Sequence, residues 1–452
     1  MGNYPFLIAQ TRNAIIINPS GDTTGAADTT AVNTVAQAGK AAQLGNGTYY
    51  VTNLLPDTNG AILGTGPGTM LQAVAGTTGA VIALKTPATT QQVLVADLTI
   101  IANTGTLIGI SLDNTGFTPA IFDSRHELRN VYVYQAGGDS FKFGANIRGA
   151  LVTGCQQYHG QGAGFNLAAS TTDCLFTDCV SGQSVSHGFL LAGGNNMIKG
   201  CKAFFAGYNG STWGTTQAGF YLNGCTYNTM AACSAQQNAL HGFDLQSAVH
   251  CSVAGESDSN GAGGAANAAG VNTNGATYCT VTGVSGNNNG ALTPAAQQWG
   301  IQVAGTQTGT IFNNCTVTGT SGGFNYVSGF GYTFLSQPNS DFSQASFLKI
   351  PAQVLSNDAP QALANASTIL TGTDGNYGAI PVTATGAVIG LILEPPVNTW
   401  TKVTVVNQSA FALTFDVAGT SHVADGISDV IAALTARTFV YDGNTSLWYR
   451  SG

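Results

Sequence analysis

A four-residue pattern recurs down the middle of the chain, and its spacing constrains the fold more than any other feature. Each copy has four positions: a small residue, then Phe or an aliphatic residue, then a variable and mostly polar residue, and finally a second apolar residue. Gly164-Phe165-Asn166-Leu167 is an example. The copies follow at intervals of 23 to 31 residues and begin at Gly109, Ser140, Gly164, Gly188, Gly219, Gly242, Gly270, Gly300 and Gly323. Self-similarity at this period indicates a solenoid, and the alternation within each copy indicates strands.

A second column, in which a small residue precedes Cys, runs beside the first. Its members are Cys155, Cys179, Cys201, Cys233 and Cys315, with Glu256 and Val284 at the two remaining positions. The two columns lengthen and shorten together along the chain. We therefore predict an all-β fold, a right-handed parallel β-helix whose coils stack about 4.8 Å apart with Phe and Leu pointing inward.

The N-terminal part suggests a cap for this solenoid. Gly21-Asp22-Thr23-Thr24 precedes a helical stretch to about Ala42, and Gly47-Thr48-Tyr49 leads into the first strand. This start resembles that of the pectate-lyase-like β-helix superfamily. The resemblance implies the fold and not an activity, because the superfamily includes lyases, hydrolases, viral spikes and inert adhesins.

The C-terminal part alternates apolar and polar residues in short runs, and Asp442-Gly443 is a hairpin signal. It predicts a small antiparallel β domain. Asn407-Gln408-Ser409 and residues 419–426 and 436–449 resemble a C-terminal module of bacteriophage virion proteins. The resemblance implies a tailspike-type virion appendage, assembled in the host cytoplasm as a homotrimer and joined to other virion proteins.

The predicted organisation has four parts. They are a lead-in or attachment segment at 1–20, the β-helix with its capping helix at 21–326, a linker at 327–348 and the small β domain at 349–452.

Composition limits the partners. Charged residues make up 8% of the chain and the net charge is −8, which suits stacked coils because like charges on neighbouring coils repel. The 13 basic residues are scattered, so we expect no nucleic-acid binding, and no apolar run is long enough to span a membrane. The nine cysteines are interpreted as reduced core thiols. We expect no metal and no cofactor.

Candidate catalytic residues are few. The outward positions of the four-residue pattern contain one carboxylate, Asp244, three residues after His241. Glu256 is either a buried general acid in the Cys column or, as we favour, turned outward beside Asp258 by a one-residue slip. His241 and the equivalent His187 are expected to be solvated edge histidines. Catalytic β-helices of the superfamily act on polysaccharides, so Asp244, Glu256, Asp258 and His241 are the catalytic candidates.

Two further features have structural interpretations. Asp178 falls in a column of small residues, which predicts a tight turn that tolerates positive φ. The charge cluster at residues 123–129 is expected to cap a strand entry or to pair across a subunit contact.

Three long excursions leave the solenoid at one corner, at residues 206–217, 257–269 and 285–298. They either wall a glycan groove or cover the side of the solenoid and pack on a neighbouring subunit. Asn260 and Asn267 of the second excursion are candidate hydrogen-bond partners of a sugar. The predicted glycan-binding aromatics are Tyr208, Trp213, Tyr221 and Trp299.

The sequence therefore favours a structural virion appendage that contacts host-surface polysaccharide without catalysis. Two alternatives stay open: a polysaccharide depolymerase acting as a hydrolase or lyase, and a capsid or tail decoration that binds no glycan.

Overall fold

A computed structural model of the protein describes residues 14–102, 105–116, 125–286, 297–305, 307–313, 315–317, 319–326, 334–336, 361–364, 368–369, 379–393, 402–415, 423–424, 430–442 and 447–450. The chain divides into two compact units, whose described parts lie within residues 14–326 and 334–450. The first unit is a parallel β-helix, as predicted.

One helix, Ala26–Ala36, packs at the N-terminal end of this β-helix against the first strands. The Asp22 carboxylate accepts hydrogen bonds from the backbone N–H groups of Thr24 and Ala27, both at 2.9 Å. These bonds, chiefly the one from Ala27, lower the pKa of Asp22, and the Ala27 bond satisfies an N–H group that the first helical turn leaves free.

The predicted extension of the helix to about Ala42 is wrong. The helix ends at Ala36, and Gly39 adopts a left-handed φ of +68° that reverses the chain. Residues Ala41–Leu44 then form a strand.

One sheet of the β-helix, which we call the Phe sheet, contains the four-residue pattern. Its strands are Ala80–Ala83, Ile108–Leu112, Phe141–Phe143, Phe165–Leu167, Phe189–Leu191, Phe220–Asn223, Phe243–Gln246, Ala269–Asn274, Trp299–Ala304 and Gly322–Tyr326. Each pairs in parallel with the next, and equivalent residues of the pattern lie directly opposite one another. The predicted register is confirmed.

A continuous stack of Phe rings fills the interior behind this sheet. The rings of Phe141, Phe165, Phe189, Phe220 and Phe243 have centroids 4.6 to 5.2 Å apart and lie nearly parallel. All five side chains are fully buried. Burial of each ring stabilises the fold by about 1.5–3 kcal/mol, and no single coil can bury its own ring.

A second sheet, which we call the Cys sheet, closes the coils. Its strands in the first unit are Ile15–Ile17, Ala41–Leu44, Gly47–Val51, Ala61–Leu63, Thr69–Ala73, Leu94–Ile101, Glu127–Tyr134, Leu151–Thr153, Gln156–Tyr158, Leu175–Thr177, Val180–Gly182, Met197–Lys199, Lys202–Phe204, Thr229–Gln236, Ser252–Asp258, Thr280–Thr282, Ser285–Gly286, Ile311–Asn313 and Thr316–Val317.

The Cys sheet has two rows separated by a bend. The A row stacks Leu151–Thr153 on its equivalents in later coils, and the B row does the same from Gln156–Tyr158 onward. Residues at the bend have left-handed φ, among them Gly154 at +63° and Asp178 at +54°. The structural interpretation of Asp178 as a turn residue is confirmed.

The nine cysteines are free thiols and all are buried, which confirms that they are core residues. One position of the Cys column differs from the prediction: Cys233 pairs with Gly255, and Glu256 pairs with Ser234. This coil is one residue shorter between the A and B rows, so that Glu256 is exposed. The one-residue slip is confirmed, and the placement of Glu256 in the Cys column is wrong.

The second unit contains a short strand at Phe334–Ser336 and two sheets. One sheet consists of Gln361–Leu363, Ala379–Ala384, Lys402–Asn407, Ala436–Asp442 and Leu447–Arg450, and the other of Thr368–Ile369, Val388–Leu393, Leu413–Phe415 and Val430–Ile431.

The last strands of both sheets are antiparallel, which confirms the predicted β domain and its terminal hairpin. The strands before them pair in parallel, which the sequence did not indicate. Trp448, Phe439 and Phe415 are the largest side chains of the hydrophobic core of this unit.

Replacing Phe189 with Ala should lower the free energy of unfolding of the first unit by about 3–5 kcal/mol, because the cavity interrupts the ring stack. Denaturant unfolding measures this loss. Leu190→Ala changes the neighbouring, half-exposed residue and should cost much less. Equal losses would contradict the inward position of Phe189.

Candidate functional site

The four catalytic candidates do not form one site. Glu256 and Asp258 lie on the outer side of the B row. Asp244 and His241 belong to the Phe sheet and the corner that precedes it. The two pairs therefore occupy different sheets of the coil.

Aromatic residues line the outer side of the B row. Tyr134, Tyr158, Gly182 and Phe204 occupy equivalent positions on successive coils. The rings of Tyr158 and Phe204 are 5.8 Å apart although they lie two coils apart. A Cβ at Gly182 would lie 2.7 Å from Phe204 and 2.9 Å from Tyr158, so the glycine lets the two rings meet.

The first excursion extends this row of rings. Tyr208 and Trp213 pair across a tight hairpin with ring centroids 4.8 Å apart. Phe205 joins the hairpin to the row, since its ring lies 5.3 Å from Phe204 and 5.9 Å from Trp213. Tyr132, stacked on Tyr158 at 5.5 Å, extends the row at its other end.

We call this continuous set of half-exposed rings the aromatic strip. Its members are Tyr132, Tyr158, Phe204, Phe205, Tyr208 and Trp213. The Lys202 ammonium lies 5.6 Å from the Phe204 ring centroid, close enough for a cation–π interaction. Aromatic rings with one polar end suit contacts that are partly apolar and partly hydrated.

Glu256 and Asp258 follow the aromatic strip along the same row. Phe204 pairs with Gln236, which pairs with Asp258 on the next coil. The Glu256 carboxylate accepts hydrogen bonds from Ser234 at 3.2 Å and from Gln236 at 3.4 Å. Residues i and i+2 of a strand share a face with Cα atoms about 7 Å apart, so the two acids form a pair beside the strip.

Asp244 lies in a separate polar cluster on the outer side of the Phe sheet. It is 3% exposed, and one carboxylate oxygen accepts hydrogen bonds from the amides of Gln246 and Asn272, both at 2.7 Å. Tyr221, one coil before Asp244, stacks on the ring of His187 at 4.2 Å. Tyr221 is therefore not part of the aromatic strip.

The expectation that His241 is a solvated edge histidine is wrong, because the side chain is buried at 5% exposure. Its Nδ1 accepts a hydrogen bond from the Ala269 N–H at 3.1 Å, and Nδ1 of His187 accepts one from the Ala218 N–H at 3.0 Å. Burial lowers the pKa of His241, and it lowers that of His187 to about 4, against the opposing effect of Asp244. Both imidazoles are neutral at pH 7 and hold the proton on Nε2.

The structure places one candidate sugar-binding residue of the excursions where it cannot contact a glycan. Asn260 is fully buried and donates to the Ser257 hydroxyl of its own coil and to the Ala235 carbonyl of the preceding coil, so it cannot face a glycan. Trp299 is half-buried at the start of its Phe-sheet strand. Residues 287–296 of the third excursion lie outside the described residues. The backbone N–H of Asn267 donates a hydrogen bond to the Gln298 side-chain oxygen at 2.7 Å. The residue is exposed, so its contact with a sugar stays a prediction.

Of the charge cluster at residues 123–129, the structure describes residues 125–129. Charged side chains among these form ion pairs within the chain. Arg129 forms an ion pair with Asp97 of the preceding coil at 3.2 Å. His126 is fully buried, and its Nδ1 accepts the Val93 N–H at 3.3 Å. Burial lowers the pKa of His126 to about 3.

Within the described residues, no group of three or more His, Cys, Asp or Glu side chains is placed to hold a metal ion. Among the same residues, no helix is both long and apolar enough to cross a membrane.

Sequence reasoning predicted Tyr208 and Trp213 but missed the other four members of the aromatic strip. The residue type of the B row varies from coil to coil, so these rings form no column in the sequence. The signal that could have found them is position: Tyr158 and Phe204 each stand three residues after a Cys of the Cys column.

Comparison of the structure with solved structures identifies phage tailspikes. The enzymatically active domain of tailspike protein 2 of bacteriophage CBA120 is 18% identical, with a TM-score of 0.56 over 68% of this chain and 48% of that one. Full-length tailspike protein 2 from an Escherichia coli O157:H7 bacteriophage is 17% identical, with a TM-score of 0.53 over 68% and 43%.

The fold that this chain shares with these structures is a parallel β-helix. This likeness concerns the fold, and the chain spans less than half the length of either tailspike. No protein family matches the sequence, and no curated protein matches it.

Acidification should destabilise the protein through His126. In the unfolded chain the imidazole takes up a proton below its ordinary pKa of 6.5, whereas the buried imidazole resists protonation down to about pH 3. This group alone should remove about 2 kcal/mol of stability between pH 7 and pH 5.

The variant His126→Asn keeps an acceptor near Nδ1 but cannot be protonated. Urea unfolding at pH 7 and pH 5 should show a smaller loss of stability for the variant than for the wild type. The same loss in both proteins would exclude His126 as the cause.

Proposed function

We propose that this protein is a tailspike-type appendage of a phage virion that binds host-surface polysaccharide along the aromatic strip. The observation that carries the proposal is the unbroken row of half-exposed rings from Tyr132 to Trp213 on one side of the β-helix. The similarity of the fold to that of phage tailspikes supports the proposal, and this similarity is one of structure at 17–18% sequence identity.

The physical basis is the match between a flat ring and the C–H face of a sugar. Half-exposed rings offer apolar area without a large cost in side-chain entropy, and Tyr and Trp add a hydrogen-bonding group. The rows of the solenoid repeat about every 4.8 Å, so successive rings present contacts along a line, as a linear polymer requires. The Lys202 ammonium lies beside the strip, and stacking of rings on sugar faces needs no metal.

Removal of rings should weaken polysaccharide binding. Tyr158→Ala and Trp213→Ala should each raise the dissociation constant about 10-fold or more, as expected for aromatic residues at the centre of an interface. Retention on immobilised surface polysaccharide of the host, or calorimetry with the soluble polymer, measures the change.

A matched control is Tyr50→Ala, which removes a half-exposed ring near the N-terminal end of the β-helix. It should bind as the wild type does. If the control and the two strip variants bind equally well, the strip is not the binding surface.

A second candidate function is favoured by the acid pair. Glu256 and Asp258 share the outer face of one strand beside the aromatic strip, and two acids that flank one glycosidic bond are what a glycoside hydrolase requires. In that reaction one acid protonates the leaving glycosidic oxygen, and the other accepts a proton from the attacking water.

This alternative predicts that incubation with the host polysaccharide shortens the polymer, and that Glu256→Gln or Asp258→Asn lowers the rate at least about 100-fold. Asp173→Asn, at an exposed corner, is the control. Loss of cleavage in Asp244→Asn alone would place the chemistry at the Phe-sheet cluster with His241. An intact polymer that co-elutes with the protein would support binding alone.

The assembly belongs to the same proposal. We propose a homotrimer, mounted with other virion proteins on the particle after synthesis in the host cytoplasm. Sedimentation of the purified chain as a monomer at all concentrations would contradict the trimer. If the protein lies flat on the capsid of the particle and has no affinity for polysaccharide, it is a decoration protein.

A further inference from the structure

Two buried thiols on neighbouring coils meet at one corner of the β-helix. Cys225 lies just after the Phe-sheet strand Phe220–Asn223, and Cys251 comes one coil later, directly before the strand Ser252–Asp258. Their Sγ atoms are 3.6 Å apart, and the Cys251 Sγ also lies 3.8 Å from the Cys225 carbonyl oxygen. Both residues are 1% exposed. The two sulfur atoms are therefore in contact inside the core.

The backbone of this corner holds the two thiols beside each other. Thr226 and Val249 form a parallel bridge, and the Val249 N–H donates to the Cys225 carbonyl oxygen at 2.9 Å. A disulfide needs a sulfur–sulfur distance of about 2.05 Å, so the two atoms have to approach by about 1.5 Å. Rotation of both cysteine side chains about χ1 moves the sulfur atoms while the bridge stays in place.

The thiols of the Cys column are placed differently. Those of Cys155, Cys179, Cys201 and Cys233 each donate to the carbonyl oxygen of the residue two positions earlier. Burial raises the pKa of Cys233 to about 12, and it also raises the pKa of Cys315. Because a thiol reacts with an oxidant as its thiolate, these side chains are expected to react slowly.

Cys225 differs from them in its partner. The hydrogen bond from the Cys251 thiol lowers the pKa of Cys225 against the opposing effect of burial. The same bond raises the pKa of Cys251. The pair therefore combines one thiol that ionises more readily than an ordinary cysteine with a second thiol in contact with it. Disulfide formation requires both, first to attack the oxidant and then to attack the oxidised sulfur.

The layer that covers the pair is thin. Cys225 is flanked in sequence by the exposed residues Gly224 and Thr226, and Cys251 follows the exposed His250. Local opening of such a corner costs less free energy than opening of the strands. A small oxidant can therefore reach the two sulfur atoms without global unfolding.

We propose that Cys225 and Cys251 form a disulfide between two coils when the folded protein meets a hydroperoxide. The Cys225 thiolate attacks one peroxide oxygen, the O–O bond breaks, and the released hydroxide takes up a proton, which gives a sulfenic acid and, from hydrogen peroxide, one water. The Cys251 sulfur then attacks the sulfenic sulfur, the S–O bond breaks, and the leaving hydroxyl takes the Cys251 proton as a second water. Two thiols are oxidised and one peroxide is reduced.

This bond joins two coils that contain proposed binding groups. The chain reaches Cys225 soon after the hairpin of Tyr208 and Trp213, and it continues from Cys251 into the strand with Glu256 and Asp258. The two cysteines are 26 positions apart, so the bond closes a loop that restricts the unfolded chain. The inference goes beyond the proposed function and does not depend on polysaccharide binding.

The test counts the free thiols of the full chain before and after oxidation. Purified protein without reductant is treated with hydrogen peroxide, denatured and alkylated with N-ethylmaleimide, and its intact mass is measured. The chain has nine cysteines, so we expect nine labels without peroxide and seven after it (nine minus the two joined sulfurs).

Digestion identifies the joined pair. Chymotrypsin cleaves the denatured chain after Tyr227, Phe243 and Tyr278, which places Cys225, Cys233, Cys251 and Cys279 on separate peptides. Mass spectrometry should find the Cys225 peptide linked to the Cys251 peptide. The oxidised protein should also unfold at a temperature about 5 °C higher than the reduced protein, and a reductant should abolish this difference.

Two variants and a matched control follow from the order of the two steps. Cys225→Ala should keep all its remaining thiols after peroxide. Cys251→Ala should stop at the first step and leave Cys225 as a sulfenic acid that dimedone traps. Cys315→Ala removes a buried thiol of the Cys column and should form the disulfide as the wild type does.

Nine labels on the wild type after peroxide would overturn the proposal. A linked pair other than Cys225 and Cys251 would overturn it as well, and so would a disulfide that still forms in Cys225→Ala.

Discussion

Every described coil of the β-helix lies directly on the one before it, so that a residue is determined as much by the residue one coil away as by its neighbours in sequence. Parallel pairing at about 4.8 Å allows flat apolar rings to stack inside, as Phe165 and Phe189 do at 4.6 Å. The same spacing penalises like charges outside, which accounts for a chain with 8% charged residues. The left-handed corners follow from the same constraint, because each coil must turn at the same place.

This constraint explains how much of the fold could be predicted from the sequence. Inward positions repeat in residue type, so the Phe column and its register were readable directly. Outward positions are free to vary, so rings such as Tyr158 and Phe204, which meet only because Gly182 stands between them, give no periodic signal. The position of Glu256 was uncertain for a related reason: spacing between columns tolerates a change of one residue, and only the strand pairing shows where the coil is short.

The candidate sites were predicted less well because they depend on which faces of the solenoid meet. Asp244 and Glu256 are 12 positions apart in sequence but lie on different sheets. His241 looked like an edge residue and is buried, because its ring bonds to the backbone N–H of the next coil. Sequence spacing gives the coil on which a residue lies, and the corner geometry decides which side it faces.

The short coil at Gly255 shows what a single missing residue does in such an architecture. Residues up to Val253 pair as expected with the preceding coil. From Gly255 onward, each side chain points to the side opposite to the one expected for a coil of unchanged length. Glu256 and Asp258 therefore face outward. The coils on either side retain their own cores. A deletion that would disrupt most globular domains can therefore give one rung a new surface chemistry, and a solenoid of this kind can acquire or lose a charged site through a change in chain length as well as through substitution.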